Sequence, residues 1–461
     1  MTRSDHAVVL GASIGGLLAA RVLADFYRTV TIVERELLPH EPVNRRGVPQ
    51  GRHAHGLLAR GSQVLDELFP GLLNEVVASG APFVDGIDLS EMYFCFGGHV
   101  FSRQGRPKDP TRVFLPSRPL LEYLVRQRVR NIPNIALLEG LDVVDFMSTR
   151  ERDRVTGVRV RAHNGEAETL LAADLVVDAT GRGSRTPTFL DHLGYPRPAQ
   201  DQIDVRLTYT SQQLRLPPRA LRERFVLIGP VPARPTGMAL FGYENDTWIL
   251  TVLGMAGREA PSELTGMLEL AQDFTPPHVM AALRDAEPLG PVSRHRTPCS
   301  QWRRYDKLQR FPDGLLVFGD AICSFNPVYG QGMTVAALEA AALRQCLQQG
   351  RAGLARRFFV AAAKPVSVAW QLAAGGDLNV LDGSRPVPLP MRIANAYVDR
   401  LQRAAESDVV VAEQFLRVSG FIDPPSRLLH PTMLLRVATA GWRRPSQHGS
   451  GHPSLSLAGA Q

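Results

Sequence analysis

Ala7-Val8-Val9-Leu10, Gly11-Ala12-Ser13-Ile14-Gly15-Gly16, the run from Leu17 to Phe26, and Thr29-Val30-Thr31-Ile32-Val33-Glu34 together form the stretch that decides the fold of this chain. The first run is short and apolar, the segment from Leu17 to Phe26 repeats its apolar residues at helical spacing, and the last run is β-branched. Strand, glycine turn, helix and strand in that order make a βαβ unit of the kind that holds a dinucleotide. Gly11 permits a tight turn, Ser13 is small enough to let the backbone approach a pyrophosphate, and Gly16 lets the helix pack on the sheet. The pyrophosphate would meet free N–H groups at the positive end of the helix dipole. Ser13 replaces the usual middle glycine, and a packing turn in an α/β protein uses the same letters. Glu34 closes the second strand; an acid there accepts hydrogen bonds from ribose hydroxyls and repels a 2′-phosphate, which points to FAD or NAD. The alternative is a surface glutamate beside Arg35.

Working outward, a loop rich in Arg, Gly, Pro and His covers Pro39 to His55. Helical patterns occupy Gly56 to Leu73 and Pro119 to Arg130, and Val158–Arg161 and Asp174–Val177 read as strands. From Asp204 to Met255 the chain turns β-like, and Met238–Tyr243 and Trp248–Leu253, joined by Glu244-Asn245-Asp246-Thr247, read as a hairpin. The dinucleotide pattern returns at Gly314–Asp320, followed by a helix from Met333 to Gln349 that ends at Gly350. A proline-rich joint, Arg385–Pro390, precedes a helical C-terminal portion, and the polar residues after Trp442 are expected to be disordered.

With 461 residues the chain is too long for one ordinary core. Its 44% hydrophobic and 21% charged content is that of a soluble globular protein, no apolar run reaches the length of a membrane span, and no secretory signal is visible; the expected location is the cytoplasm. The net charge of +7 comes from scattered arginines without a nucleic-acid-binding pattern, so no nucleic-acid partner is expected. Cys95, Cys299, Cys323 and Cys346 fit no metal or redox spacing and read as buried thiols. His53 and His55 lack a third ligand at suitable spacing, so no metal is expected; they flank the cofactor, line a substrate entrance or form a solvated loop pair.

A second constellation lies far downstream: Gly319-Asp320, Pro327, then Gly330-Gln331-Gly332-Met333 entering a helix. A carboxylate at a strand end can hold the hydroxyls of a ribityl chain, glycines let backbone N–H groups reach a flat ring, and a helix start favours negative charge on that ring. Together with the first turn, this set resembles the FAD-dependent monooxygenases of the aromatic hydroxylase superfamily, over residues 5 to 385. Arg45-Arg46-Gly47-Val48-Pro49-Gln50, Arg52-His53-Ala54-His55, Asp178–Ser184, Asn326–Gly330, and Trp370 followed by Asp377 are similar to bacterial epoxidases that act on polyene chains in polyether assembly.

The resemblance implies an α/β fold. A Rossmann-like, GR2-type FAD-binding domain would span 1–85, 106–203 and 290–384, with a β-sheet substrate domain at 86–105 and 204–289, a helical region at 385–443 and a disordered tail at 444–461. It implies that Ile14 and Gly15 lie on the pyrophosphate, with Glu34 and Arg35 at the adenosine and the Val143 backbone at the adenine. Arg45 and Arg118 contact FAD, Asp320 binds the ribityl or pyrophosphate side, and Gly332 and Met333 border the isoalloxazine near Pro327 and Gly330. The implied reaction inserts one oxygen atom from O2 into an apolar small molecule through a C4a-hydroperoxyflavin, with olefin epoxidation in natural-product biosynthesis as the leading form. Aromatic hydroxylation, prenyl-chain reduction and a non-enzymatic flavin-binding role are the alternatives; a flavin halogenase would carry a Trp-x-Trp-x-Ile-Pro motif, which Trp248, Trp302, Trp370 and Trp442 do not form. The family's Asp-Gly-x-x-Ser pattern is changed here to Thr180-Gly181 with the acid at Asp178, so electrons come from NAD(P)H directly or through a separate flavin reductase. A dry pocket is needed, and the hairpin residues Met238, Leu240, Phe241, Trp248, Ile249 and Leu250, with Tyr329, are candidates for its wall. Met433-Leu434-Leu435 is expected to pack against the FAD domain, without membrane contact.

Overall fold

The computed structural model describes residues 4–163, 165, 167–381 and 389–440. Most of the proline-rich joint and the C-terminal tail lie outside the described residues.

Strand Ser4–Leu10 is the centre of a five-stranded parallel sheet in the order Leu315–Val317, Leu175–Asp178, Ser4–Leu10, Tyr27–Val33, Ile135–Leu138. Ala7, Val8, Val9, Val176 and Val177 are wholly buried, as a parallel sheet covered on both faces requires. The register aligns Leu10 with Val33 and with Asp178, and Asp178 with Val317. Four strands therefore end on one edge, which brings Gly11, Glu34, Ala179-Thr180 and Gly319-Asp320 together. Ligands of open parallel sheets bind outside that carboxyl edge. Helices Ile14–Leu23, Ala59–Leu68 and Gly332–Gln348 pack on one another beside the sheet, and an antiparallel sheet of Leu141–Ser148, Val155–Ala162 and Glu168–Ala172 lies against the strand Leu175–Asp178.

The second large sheet has seven strands in the order Glu287–Thr297, Leu207–Arg215, Trp248–Gly254, Thr236–Gly242, Phe225–Ile228, Met92–Phe96, His99–Val100. The hairpin forms as read, with Leu240 opposite Leu250 and a turn whose Asn245 and Asp246 take left-handed backbone (φ 59° and 54°), which these residue types tolerate. Strand Glu287–Thr297 pairs with Leu207–Arg215 up to Thr297, which carries this sheet past position 290, where the FAD-binding segment was expected to resume. One face is covered by helices Leu264–Gln272 and Pro277–Arg284.

Helix Leu354–Val380, with Pro365 inside it, is long and apolar enough by length and composition to cross a membrane, which the sequence reading did not anticipate. It packs on helix Gly332–Gln348 and carries Phe358, Val366 and Asp377 wholly into the interior. The C-terminal helices Leu389–Ala405, Val409–Ser419 and Pro431–Ala440 share a core with Phe101, Phe94 and Phe96 of the substrate domain. Met433 sits in that core, while Leu434 and Leu435 are exposed, so this run does not pack on the nucleotide-binding domain as expected. All four cysteines are free and buried.

Candidate functional site

The carboxyl edge of the parallel sheet opens into a cavity of about 2310 Å³. Its wall includes Gly11, Ser13, Ile14, Gly15, Glu34, Arg35, Arg45, Arg118, Val143, Asp320, Pro327, Tyr329, Gly330, Gly332 and Met333. Gly11 has φ +97°, and a Cβ there would stand 2.8 Å from the Ala179 carbonyl oxygen. Gly16 points the other way: its Cβ would stand 1.8 Å from the Gly11 carbonyl oxygen, so it is the residue that lets helix and turn touch. Ser13 occupies the N-cap position but its side chain caps nothing; the hydroxyl donates to Glu122 (3.2 Å) and accepts from Arg118 (2.9 Å). The first-turn N–H groups of this helix are left without a side-chain partner.

Glu34 is buried and half-engaged. Its Oε2 accepts from the Ala12 N–H (2.7 Å) and its Oε1 from the Glu36 N–H (3.1 Å). Beside it lies an ion network whose hub, Glu122, was not singled out from the sequence. Glu122 accepts from Arg45 Nε at 2.7 Å and Arg118 Nη2 at 3.2 Å, and Arg126 Nη1 lies 3.7 Å away; all four side chains are buried. Burial works against the Glu122 carboxylate, yet Arg118 and Arg45 hold it below the usual range. The Arg118-Glu122-Arg126 spacing along one helix face was the available signal. Arg45 also donates to Glu36 (2.9 Å), so its pairs are buried ones and not the surface bridge it could have been.

At the other end of the cavity, Gly319 (φ +66°) donates its N–H to Glu339 Oε2 at 2.6 Å. Glu339, also unforeseen, is wholly buried on helix Gly332–Gln348, and its Oε1 has no partner. Burial, and to a lesser extent Asp320, pushes its carboxyl up to about 8. Asp320 is open to the cavity but walled by protein elsewhere; that burial raises it, against Arg118 and Arg182. The turn Asn326–Gly330 is pinned from the long helix. Asp377 accepts from Asn326 Nδ2 (2.7 Å) and Tyr329 Oη (3.0 Å), and burial pushes it up to about 6. Gly330 takes φ +63°, and Gln331 leaves the start of helix Gly332–Gln348 without a side-chain cap, so a second helix N-terminus opens on the cavity.

Glu339 titrates higher in the folded chain than in the unfolded one. Its contribution to stability is therefore fully present below the ordinary carboxylate range and is lost as pH rises through about 8. Glutamine mimics the protonated form and keeps an acceptor for the Gly319 N–H. Glu339→Gln is expected to match the parent melting temperature near pH ~5 and to exceed it by several degrees near pH ~9. Thermal unfolding at the two pH values checks this, and a lower melting temperature at the higher pH would mean that the charged form is needed.

On the substrate-sheet side, Ala239, Phe241, Thr251 and Leu253 line the cavity, whereas Leu240 and Leu250 pack under the two covering helices and Trp248 lies against that same outer core. Alternation along a strand sends neighbours to opposite faces, so Leu240, Trp248 and Leu250 belong to the outer face, with Met238. Ile249 shares the inner core with Phe241, and Tyr329 reaches the cavity from the turn. His53 and His55 are in the wall, not in a solvated loop. His53 Nδ1 lies 2.8 Å from Ser211 Oγ, which lies 2.6 Å from Thr251 Oγ1, and its ring stands edge-on to Tyr209 at 4.3 Å. Burial, with help from His295, pushes His53 down to about 3, and burial with Arg118 pushes His55 down to about 4, so both are neutral imidazoles at physiological pH. Asp178 is saturated: it accepts from the Thr180 N–H (2.9 Å), the hydroxyls of Thr180 and Ser184 (2.5 Å each) and the Thr186 hydroxyl. Among the described residues, no group of three or more His, Cys, Asp or Glu is placed to hold a metal.

The chain is 42% identical over 428 residues to protein Rv3254 of Mycobacterium tuberculosis, covering 91% of this chain and 90% of that one. It is 28% identical over 368 residues to a kynurenine 3-monooxygenase of Salinispora arenicola, covering 75% and 73%. Its fold is similar to p-nitrophenol 4-monooxygenase PnpA of Pseudomonas putida, with a TM-score of 0.65 and 14% identity over 92% of this chain and 100% of that one. It is also similar to the flavin-dependent brominase Bmp2, with a TM-score of 0.64 and 15% identity over 96% and 99%. No family model matches.

Proposed function

This chain belongs to the FAD-dependent monooxygenases of the aromatic hydroxylase and squalene monooxygenase superfamily, and on that premise we propose that it places one oxygen atom of O2 on an apolar small molecule, with olefin epoxidation as the leading form. The observation that carries the proposal is that two uncapped helix starts, Ile14 and Gly332, open on one cavity whose far wall is Ala239, Phe241, Thr251 and Leu253. The residues present fit FAD. The N–H groups at Ile14 and Gly15, with Arg45 and Arg118, suit the pyrophosphate, and Glu34 keeps lone pairs for ribose hydroxyls beside Arg35 and the Val143 backbone. Asp320 suits the ribityl hydroxyls, and Pro327, Gly330, Gly332 and Met333 flank the ring.

When bound, FAD supplies the electrons and the activation of O2. The chain supplies the setting. The start of helix Gly332–Gln348 favours negative charge beside it, and the apolar sheet face excludes water. Neutral His53 and His55 add hydrogen-bonding atoms to the wall without adding charge. Asp178 has no lone pair to spare for a nicotinamide, which favours a separate flavin reductase over direct use of NAD(P)H. Aromatic hydroxylation is the second reading, supported by the kynurenine 3-monooxygenase relative.

The test is rapid mixing of the reduced, FAD-loaded protein with O2. A transient absorbing species before oxidised flavin returns is expected, and its decay should depend on the presence of polyenes or phenols. Direct return of oxidised flavin, with candidate substrates present, would turn the assignment toward a reductase.

A further inference from the structure

The cavity does not end at the substrate sheet. Beyond Phe241 its wall continues as a row of phenylalanine rings from four separate pieces of chain. Phe241 meets Phe225 at 5.7 Å between centroids, Phe225 meets Phe94 at 5.0 Å, and Phe94 meets Phe96 at 5.6 Å. Phe96 meets Phe101 at 5.4 Å and Phe415 at 5.8 Å, and those two meet at 5.1 Å. All six line the one cavity, from the hairpin strand near the histidines to the C-terminal helix Val409–Ser419.

That helix is fastened in place. The Glu413 carboxylate accepts from the backbone N–H groups of Lys108 (3.0 Å) and Asp109 (2.6 Å), the Ser102 N–H donates to the Ala405 carbonyl (2.8 Å), and His99 Nδ1 lies 2.8 Å from Glu406. The C-terminal helices thus roof the inner end of the substrate domain. The cavity of about 2310 Å³ is well beyond the ~300–1,000 Å³ of an ordinary small-ligand pocket, so room remains past the nucleotide. A compact single-ring substrate would leave the phenylalanine-lined end filled with water, whereas an extended unsaturated molecule would cover the ring faces and gain the geometry that π systems prefer.

We propose that strand Met92–Phe96, Phe101 and the C-terminal helix Val409–Ser419 enclose a second chamber that takes the apolar tail of an elongated, unsaturated substrate while its reacting end lies against Phe241 and Thr251. The inference deepens the proposed function and rests on it. The chamber sets substrate length, and the edge of the parallel sheet sets the place of reaction.

The probe is cis-parinaric acid, a straight conjugated polyene whose fluorescence rises in apolar surroundings, titrated into the full-length, FAD-loaded protein. Saturable one-to-one binding is expected, weakened at least tenfold by Leu416→Trp, which fills the chamber, and by Phe415→Ser, which removes a ring. Flavin content should stay unchanged in both. Should Leu416→Trp lose flavin, Phe415→Ser, which adds no volume, gives the reading. Parent-like affinity in Phe415→Ser, or in both variants, overturns the chamber. So does a protein that oxygenates phenols yet binds no parinaric acid, an outcome that leaves the monooxygenase reading intact. Binding that the variants abolish, in a protein whose reduced flavin gives no transient with O2, supports the chamber and removes the oxygenation reading instead.

Discussion

Gly16→Val is expected to yield a chain that carries less than about a tenth of the parent flavin and melts several degrees lower. Even a Cβ at this position would stand 1.8 Å from the carbonyl oxygen of Gly11 and 2.9 Å from its carbon. Both are backbone atoms of the turn, so no side chain can swing aside to relieve the clash. Either helix Ile14–Leu23 lifts off the sheet or the turn opens. Lifting exposes Leu17, Leu18 and Val22, which are wholly buried; core overpacking of ordinary kind already costs ~1–3 kcal/mol. Opening the turn moves the first-turn N–H groups away from the place where a pyrophosphate would lie. Gly15→Ala is the control, because its Cβ would meet only the Phe318 ring at 3.7 Å, an ordinary contact. Flavin absorbance per chain and a melting curve read both variants. Stoichiometric flavin in Gly16→Val would mean that this turn is not the nucleotide cradle.

That contrast also shows why part of the site was legible in the sequence. The roles of Gly11, Gly16 and Glu34 follow from spacing within one βαβ unit, where the steric rule is local. Gly319, Gly330 and Gly332 were visible for the same reason: each sits at a strand or helix end whose type the neighbouring residues reveal. The hairpin wall was not. Met238, Leu240 and Leu250 are as apolar as Ala239, Phe241 and Ile249, and because both faces of that sheet are covered, alternation gives two faces without saying which one looks at the cavity. Asp377 reaches Asn326 across 51 residues of chain, a pairing that only the packing of the long helix reveals. The C-terminal helices read as a separate helical region because nothing in their own pattern names Phe96 and Phe101 as neighbours.

Glu122 belongs to the part that could not be read, and it gives the second large effect. Glu122→Gln is expected to lower the melting temperature of the apoprotein strongly, since removing one partner of a buried ion pair costs ~3–5 kcal/mol. Arg45 would keep Glu36 at 2.9 Å, but Arg118 would be left with the Ser13 hydroxyl and Arg126 with the Pro39 carbonyl. Two buried guanidinium groups would then lack a full counter-charge, and Arg45 and Arg118 both face the cavity. If the pyrophosphate of FAD lies there, it returns negative charge to those two arginines, so the loaded protein should lose much less stability than the apoprotein. By linkage, the gap between the melting temperatures of the loaded and empty forms should widen in the variant relative to the parent. Melting both forms of both proteins at one FAD concentration measures that gap directly. A gap that stays the same or narrows would place the pyrophosphate away from Arg45 and Arg118 and leave Glu122 as a structural hub alone. A wider gap would mean that the carboxylate holds these arginines in position at the cost of partly neutralising them, trading cofactor affinity for a stable apoprotein.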